Sequence, residues 1–392
     1  MISWRKCRTK PTALVVAVAS LALTLALLPV TGQQAGATSR ADRAALDAAM
    51  RQLLATNNGP PGVIAVIDRY GHIDIHSAGT SQVGESTPIT GQDHLRLASV
   101  AKAFSGAVAL SLVAQGTLHL TDTVGKWLPT LPSQWSKVTL AQLLQHTSGI
   151  DDFSQTKAFQ DAVIANLTNP PPPATLLTYA DPELKFTPGS EYEYSNSDNI
   201  VVALMVQAAT GRSYEEELAT QVYGPLGLAN TSLPSGVAMP APIAAGYQPD
   251  PPNQPEDVTE LIAAGWAWAS GGIVSTPLDA TAFVRGYARG ATTNAATHAI
   301  QMTTFRPGSS EPPGPGANSA GLAIFRYQTE CGTVYGHTGN TSGYTQFIAS
   351  TPDGSESVTV SVNSQITPKT NPVAFAALQK VELAGVCTAL GD

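Results

Sequence analysis

Charged residues, aromatic residues and cysteines are scarce in this 392-residue chain. Lys, Arg, Asp and Glu together make up 13% of it, aromatic residues make up 6%, and there are three cysteines. Basic residues are outnumbered, 21 against 29 acidic ones. Because nucleic acids and anionic membranes attract basic surfaces, this balance argues against both as partners. The chain also lacks an internal repeat and the G-x-S-x-G elbow of α/β-hydrolases.

The one long apolar run lies near the N-terminus and is typical of a secretory signal. Basic residues between Arg5 and Lys10 precede the apolar stretch Thr12 to Leu28, and Ala35-Gly36-Ala37 forms a small-residue cleavage site. The alternative is an uncleaved membrane anchor, but Pro29 and the cleavage site favour removal. We therefore expect residues 1–37 to be a signal peptide. The mature protein would be secreted to the extracellular space, without a stable membrane anchor.

Two cysteines, Cys331 and Cys387, would remain after this cleavage. Their spacing fits neither a zinc site nor a redox C-x-x-C motif. Since exported proteins fold in an oxidising environment, the pair is most simply a disulfide that staples the C-terminal region. Subtracting the four basic residues of the signal from 21 leaves 17 against 29 acidic ones, a net charge of −12.

Apolar periodicity predicts strands at both ends of the chain and helices between them. Predicted strands are Val63–Asp68, Ile73–His76, Gly321–Tyr327, Val334–His337, Tyr344–Ala349 and Ser357–Val362. Predicted helices are 41–55, Ala98–Gln115, Val138–Leu144, Phe159–Leu167, Asp198–Ala209, Tyr214–Val222, Asp279–Tyr287 and Pro372–Val386. Three proline-rich segments, Pro170–Pro173, Pro249–Pro255 and Pro312–Pro315, are predicted surface loops. We expect an α/β (α+β) fold, with one antiparallel sheet flanked by helices and an inserted, mostly helical lobe. In residues 38–392 the sheet lobe would take about 41–120 and 262–390, and the helical lobe about 121–261.

A candidate nucleophile opens the second predicted helix. Ser99 and Lys102 stand three residues apart, so a helix places both side chains on one face. A lysine whose pKa is lowered by burial can take the proton of a serine hydroxyl. The S-x-x-K pattern also occurs at Ser3 and at Ser154, but the first lies in the signal and the second in a polar stretch. Only Ser99 begins a helix long enough to be buried.

Two further groups could complete a site. Tyr194-Ser195-Asn196 precedes a predicted helix; a phenol can carry the serine proton, and the Asn196 amide can bond both the lysine and a substrate carbonyl. Gly336-His337-Thr338-Gly339-Asn340 ends a predicted strand, where glycines allow a substrate close to the backbone. Taken singly, the first is more often a turn with a helix cap and the second a simple strand end.

Together these groups resemble the serine β-lactamase and penicillin-binding protein family. The order Ser99, Tyr194, His337 and the Y-S-N and H-T-G triplets are similar to the class C branch, and most similar to soluble secreted serine-type D-alanyl-D-alanine carboxypeptidases. Stretches such as Leu143–Ile150 and Phe186–Gly189, and the positions of both cysteines, extend the resemblance over the mature chain. The implied fold is β-lactamase/transpeptidase-like, and no cofactor or metal is implied.

The resemblance also implies roles for individual residues. Ser99 would form an acyl-enzyme, with Lys102 and Tyr194 sharing the acid–base work; which of the two takes the first proton stays open. Asn196 would position the substrate amide, and His337 and Thr338 would meet the substrate carboxylate. The backbone N–H groups of Ser99 and Asn340 would form the oxyanion hole, where each donor is worth roughly 3–4 kcal/mol.

One departure from the carboxypeptidase pattern lies on the strand before the third motif. The place of a carboxylate-binding arginine holds Phe325, and Arg326 is one residue away. Because neighbouring strand residues face opposite sides, Arg326 is expected to point away from the site. The alternatives are therefore an esterase or β-lactamase of the same fold, and a catalytically silent peptidoglycan- or ligand-binding protein. The expected partner is a small peptide, ester or β-lactam substrate, and the oligomeric state is left open.

Overall fold

The computed structural model describes residues 40–251 and 253–391, so the predicted signal peptide lies outside the described residues. Twelve strands occur in this part of the chain: β1 (Gly62–Arg69), β2 (His72–Gly79), β3 (Leu95–Arg96), β4 (Tyr247–Gln248), β5 (Glu256–Asp257), β6 (Val274–Ser275), β7 (Arg306–Pro307), β8 (Ala317–Ala320), β9 (Phe325–Thr329), β10 (Gly332–Thr341), β11 (Tyr344–Ser350) and β12 (Glu356–Val362). Twelve α-helices accompany them: α1 (Arg40–Leu54), α2 (Ala101–Ala114), α3 (Val124–Trp127), α4 (Leu140–Leu144), α5 (Lys157–Ala165), α6 (Pro173–Leu176), α7 (Asn196–Thr210), α8 (Tyr214–Leu218), α9 (Gly224–Leu226), α10 (Pro277–Ala288), α11 (Ala295–Thr303) and α12 (Pro372–Leu390).

Strands from both ends of the chain form one antiparallel sheet of eight strands. Their order is β2-β1-β12-β11-β10-β9-β8-β7, and β3–β6 and β4–β5 form two small separate pairs. The junction between the two ends is β1 with β12, where Val63 lies opposite Val362. The predicted fold class is confirmed, including the meander near the C-terminus.

Helices cover both faces of the sheet, which explains why every residue of β1 is buried. On one face, Leu46, Met50 and Leu53 of α1 follow a helical spacing and pack with α12 against the sheet. On the other face, α10 packs on the central strands. A second apolar core surrounds α2 and α7 and fills the helical region.

Helix α12 is, among the described residues, long and apolar enough to cross a membrane. Its residues Ala374, Leu378 and Val381 are instead buried in the core beside α1 and the sheet. The predicted disulfide is present: Cys331, in the turn between β9 and β10, is bonded to Cys387 of α12, with Cα atoms 5.1 Å apart.

Three predictions about local structure were wrong. Residues 98–100 form a separate 3-10 turn before α2 rather than its first turn. The strand expected at Gly321–Tyr327 is interrupted between β8 and β9, because Ala323 adopts a positive φ of 55°. The segment around Pro312 is not a free surface loop, since Pro312 itself is buried against the sheet.

Candidate active site

Ser99 lies in the 3-10 turn that leads from β3 into α2. The residue before it, Ala98, has a positive φ of 50°, a conformation that costs free energy for any residue with a Cβ. Gly339 of β10 passes directly beside this turn: a Cβ there would lie 2.3 Å from the Leu97 carbonyl oxygen and 3.3 Å from the Ser99 nitrogen. Only glycine therefore lets β10 approach the turn so closely.

Lys102 is buried directly beneath Ser99, one helical turn along. Its Nζ atom lies 3.2 Å from Ser99 Oγ, 2.6 Å from Asn196 Oδ1 and 2.8 Å from the Ser270 carbonyl oxygen. Burial lowers the pKa of Lys102 to about 7, against the opposing effect of the carboxylates of Asp152 and Glu311. A neutral amine has two N–H donors, which the amide and carbonyl oxygens accept, and one lone pair that is then free for the Ser99 hydroxyl.

The amide of Asn196 links this lysine to Asp152. Its Nδ2 donates to Asp152 Oδ2 and to Ser154 Oγ, each at 2.9 Å. Both amide hydrogens are therefore engaged within the protein. The expectation that this amide also bonds a substrate carbonyl does not agree with the arrangement, because no donor is left over.

Tyr194 lies on the other side of the lysine, with Lys102 Nζ 4.9 Å from the centre of its ring. The ring is 8% exposed and lines the cavity described below. Burial holds the pKa of Tyr194 well above its usual range, although the nearby Ser99 hydroxyl acts in the opposite direction. Its hydroxyl makes no protein hydrogen bond of ordinary geometry. At neutral pH Tyr194 is thus a protonated phenol whose buried hydroxyl has no hydrogen-bond partner among the described residues.

A buried histidine and carboxyl pair supports Tyr194 from behind. The rings of His146 and Tyr194 lie 4.6 Å apart, and His146 Nδ1 is 2.9 Å from Asp198 Oδ2. Burial lowers the pKa of His146 to about 3 and raises the pKa of Asp198 well above its usual range. The His146 ring is therefore neutral near pH 7, and it packs against the tyrosine ring.

Strand β10 brings the third motif beside Ser99, but not with the side chains expected to reach a substrate. β9 pairs with β10 only as far as Gly336, so the edge of β10 from His337 onward is free to face the nucleophile. Asn340 lines the cavity described below, and its side-chain amide donates to Thr345 Oγ1 and to the Ile366 carbonyl oxygen. Its neighbour Gly339 is the residue that approaches the Ser99 turn.

His337 and Thr338 are both 1% exposed and do not line the cavity. Burial lowers the pKa of His337 to about 3, and its ring packs edge-on against Phe325 at a centroid distance of 5.0 Å. Thr338 Oγ1 donates to the Pro312 carbonyl oxygen at 2.6 Å. In this arrangement neither side chain faces the cavity: the histidine is neutral and enclosed, and the threonine hydroxyl is already bonded.

The positions of Phe325 and Arg326 follow the predicted strand alternation. Phe325 is buried and faces the ring of Tyr194 at 6.5 Å. Arg326 points to the opposite side, where it stacks over Phe305 at 4.8 Å and bonds Ser319 Oγ. No arginine of this strand therefore reaches the site.

A cavity of about 650 Å³ opens over Ser99, Tyr194 and Asn196. One wall is apolar and includes Phe153, Phe159 and Trp266, of which Phe159 and Trp266 pack edge-to-face. Its volume lies in the range typical of small-molecule binding sites. Among the described residues, the charged groups that line it are Arg96, Glu311 and Lys369.

Sequence reasoning missed several residues of the site. Asp152 and Ser154 reach it because the segment after Gly149 folds against the start of α7, a contact between distant parts of the chain. Ser154 begins the S-x-x-K pattern that we assigned to a polar loop. The lysine of that pattern, Lys157, is exposed and forms an ion pair with Asp161. No sequence signal would have placed Glu311 in the cavity.

The residues that could hold a metal ion are few. Among the described residues, Glu330, Cys331 and Cys387 bring possible ligand atoms within 4.8 Å of one another. Both thiols are consumed by the disulfide, so the group does not form a metal site.

Comparisons with known proteins agree with this arrangement. Residues 46–382 match the Beta-lactamase family. The D-aminopeptidase of Brucella anthropi is 27% identical over 201 residues, 51% of this chain and 38% of that protein. Protein flp of Staphylococcus aureus (strain COL) is 29% identical over 178 residues, 44% of this chain and 35% of that protein. The match thus spans little more than a third of the length of these curated relatives.

Solved structures cover more of the chain. A D-stereospecific amidohydrolase from Streptomyces sp. aligns with a TM-score of 0.73 and 29% identity, covering 82% of this chain and 94% of that one. The D-amino acid amidase from Ochrobactrum anthropi SV3 aligns with a TM-score of 0.75 and 21% identity over 88% and 98% of the two chains, which supports the fold alone. With the family match covering most of its length, the chain belongs to the beta-lactamase family of serine hydrolases.

Proposed function

We propose that the protein is an amidohydrolase that cleaves amides or short peptides of D-amino acids through an acyl-enzyme on Ser99. The observation that carries the acyl transfer is the position of Lys102, buried and 3.2 Å from the Ser99 hydroxyl. The D-stereospecific substrate class is supported by the Streptomyces amidohydrolase and the Brucella D-aminopeptidase, which resemble this chain.

In the proposed reaction, Lys102 takes the Ser99 proton while Oγ attacks the substrate carbonyl carbon. The backbone N–H groups of Ser99 and Asn340 stabilise the resulting oxyanion. The carbon–nitrogen bond then breaks, the leaving amine receives the phenolic proton of Tyr194, and Lys102 returns its proton to Tyr194. Water hydrolyses the acyl-enzyme by the same steps in reverse.

The pKa values favour Lys102 rather than Tyr194 as the first base. A lysine with a pKa of about 7 is half neutral at physiological pH, whereas burial makes the tyrosinate costly to form. Tyr194 is then the proton carrier between lysine and leaving group, for which a protonated phenol is the required starting state.

A D-alanyl-D-alanine carboxypeptidase of the class C branch is the second candidate. The Y-S-N and H-T-G triplets favour it, and Lys369 at the cavity supplies one cation that a terminal carboxylate could approach. Against it, Arg326 points away and the Thr338 hydroxyl is bonded to Pro312. An esterase, a β-lactamase and a silent binding protein of this fold are the remaining outcomes of the test below.

The deciding experiment compares D-phenylalaninamide, L-phenylalaninamide and an acetylated D-alanyl-D-alanine peptide as substrates for the mature protein and for Ser99→Ala. Turnover of the D-amide well above the L-amide and the peptide, lost in Ser99→Ala, supports the amidohydrolase. Preferred release of D-alanine supports the carboxypeptidase instead. Hydrolysis of an activated ester without either reaction indicates an esterase, and no acylation of Ser99 indicates a binding protein. In the same proposal the enzyme works outside the cell, after removal of residues 1–37.

A further inference from the structure

The segment Ser309–Pro313, here called the strap, crosses one end of the cavity. Three contacts fix it in place. Tyr192 donates its hydroxyl to the Ser309 carbonyl oxygen at 2.5 Å, Ser310 Oγ lies 3.1 Å from Tyr327 Oη, and Thr338 Oγ1 donates to the Pro312 carbonyl oxygen at 2.6 Å. Because these anchors come from three separate parts of the chain, the strap is a fixed wall.

The strap presents one ionisable side chain to the cavity. Glu311 is exposed and, among the described residues, is the one acidic group that lines it. Partial burial and then Asp152 raise the pKa of Glu311, while Lys102 and Lys369 oppose that shift and Glu193 reinforces it. The two cations that line the cavity are Arg96, whose guanidinium bonds the Val237 and Thr259 carbonyl oxygens, and the exposed Lys369.

Glu311 directly precedes Pro312, whose carbonyl oxygen accepts from Thr338, the residue expected to meet a leaving-group carboxylate. Glu311 and Tyr194 line the same cavity. The strap also occupies the Thr338 hydroxyl, which removes a donor that a leaving-group carboxylate would otherwise use. The acyl side chain is left with the apolar wall of Phe153, Phe159 and Trp266.

We propose that Glu311 and the strap exclude substrates whose leaving group carries a carboxylate, so that the enzyme releases neutral or cationic leaving groups. Like charges brought together in a half-enclosed cavity raise the free energy of the complex, and specificity commonly arises from such repulsion. This inference deepens the proposed function, because it rests on acyl transfer from Ser99 and names the class of leaving group.

The test uses two phenylacetate esters that differ only in the charge of the leaving group, 3-carboxyphenyl and 3-carbamoylphenyl phenylacetate. The kcat/KM of each ester is divided by its rate constant for hydrolysis by hydroxide. This removes the difference in intrinsic reactivity and leaves the discrimination by the protein. We expect kcat/KM to favour the carbamoyl ester by at least about fivefold, and we expect 1 M NaCl to reduce this preference by screening.

Variants assign the preference to Glu311. Glu311→Gln keeps the shape and removes the charge, and should reduce the preference to less than about twofold. Lys369→Met removes the opposing cation and should increase the preference for the carbamoyl ester. Glu85→Gln, at an exposed residue that does not line the cavity, is the matched control and should leave it unchanged.

Equal normalised rates in the wild type, or an unchanged preference in Glu311→Gln, would overturn the inference. Failure of the proposed function has a different signature: both esters are cleaved with the expected preference, but D-phenylalaninamide is not hydrolysed.

Discussion

The Nζ atom of Lys102 lies 2.6 Å from the Oδ1 atom of Asn196. Because an amide oxygen can only accept, this contact fixes one N–H of the lysine and orients the amine toward Ser99. Asp152 holds the other end of the amide and so determines which way it faces. The proposed base is thus positioned by a chain of neutral and charged groups that reaches from α2 to the segment after Gly149.

Replacing Lys102 by methionine should lower kcat/KM for an activated ester by about 10²–10⁴-fold, because the serine loses its base. Methionine is uncharged and of similar length, so the buried site stays filled and Tm should change by no more than about 3 °C. The measurement is burst kinetics together with the melting temperature.

Lys157→Met is the matched control, since Lys157 completes the second S-x-x-K pattern but is exposed and paired with Asp161. It should keep wild-type activity. Unchanged ester turnover in Lys102→Met would contradict the assignment of this lysine as the base. Ser99→Ala should show no acyl adduct by intact mass.

The pH dependence of kcat/KM should show a rising limb centred near pH 7. Lys102 acts as a base only when neutral, and its pKa is lowered to about 7, so the active fraction increases as pH rises through that value. The negative charge of Asp152 raises this pKa, so Asp152→Asn should move the limb to lower pH. If the rising limb of kcat/KM stays at the same pH in Asp152→Asn, a group other than Lys102 controls it.

Substituting Gly339 by alanine should impair both stability and acylation. The added methyl group would lie 2.3 Å from the Leu97 carbonyl oxygen, so β10 or the Ser99 turn must move. We expect a loss of about 1–3 kcal/mol in the free energy of unfolding. Urea denaturation measures this loss. Gly236→Ala, where a Cβ meets nothing within 4 Å, should change neither property.

Breaking the disulfide should cost stability without removing activity. Cys331 and Cys387 are 56 residues apart in sequence, and neither lines the cavity. The double variant Cys331→Ser/Cys387→Ser should lose about 2–4 kcal/mol in the free energy of unfolding. Ester turnover at 25 °C should stay near the wild-type rate, and a proportional loss of activity would argue that the staple also shapes the site.

The sheet and the contact between Ser99 and Lys102 were predictable because both depend on local spacing. Alternation of apolar residues gave the strands at both ends, and the i,i+3 interval of Ser99 and Lys102 placed them together. The same alternation predicted that Arg326 turns away, as it does. These features require knowledge of only a few neighbouring residues.

The rest of the site depends on contacts between distant segments. Asp152 becomes part of it through a hydrogen bond to Asn196, 44 residues away. Glu311 becomes part of it because Tyr192, Tyr327 and Thr338 hold the strap, and a proline-rich sequence by itself indicated only a loop. The burial of Thr338 followed from the same contact, which is why its hydroxyl does not face the cavity.

The pairing of β1 with β12 has a consequence for the biosynthesis of the enzyme. The sheet cannot close until residues near 362 meet those near 63, and such a long-range contact forms late in folding. β10, which carries Gly339 and Asn340, takes its place only within that closed sheet. A chain still being synthesised therefore holds Ser99 and Lys102 without the neighbouring strand, and we expect the proposed hydrolytic activity only after β12 has joined the sheet.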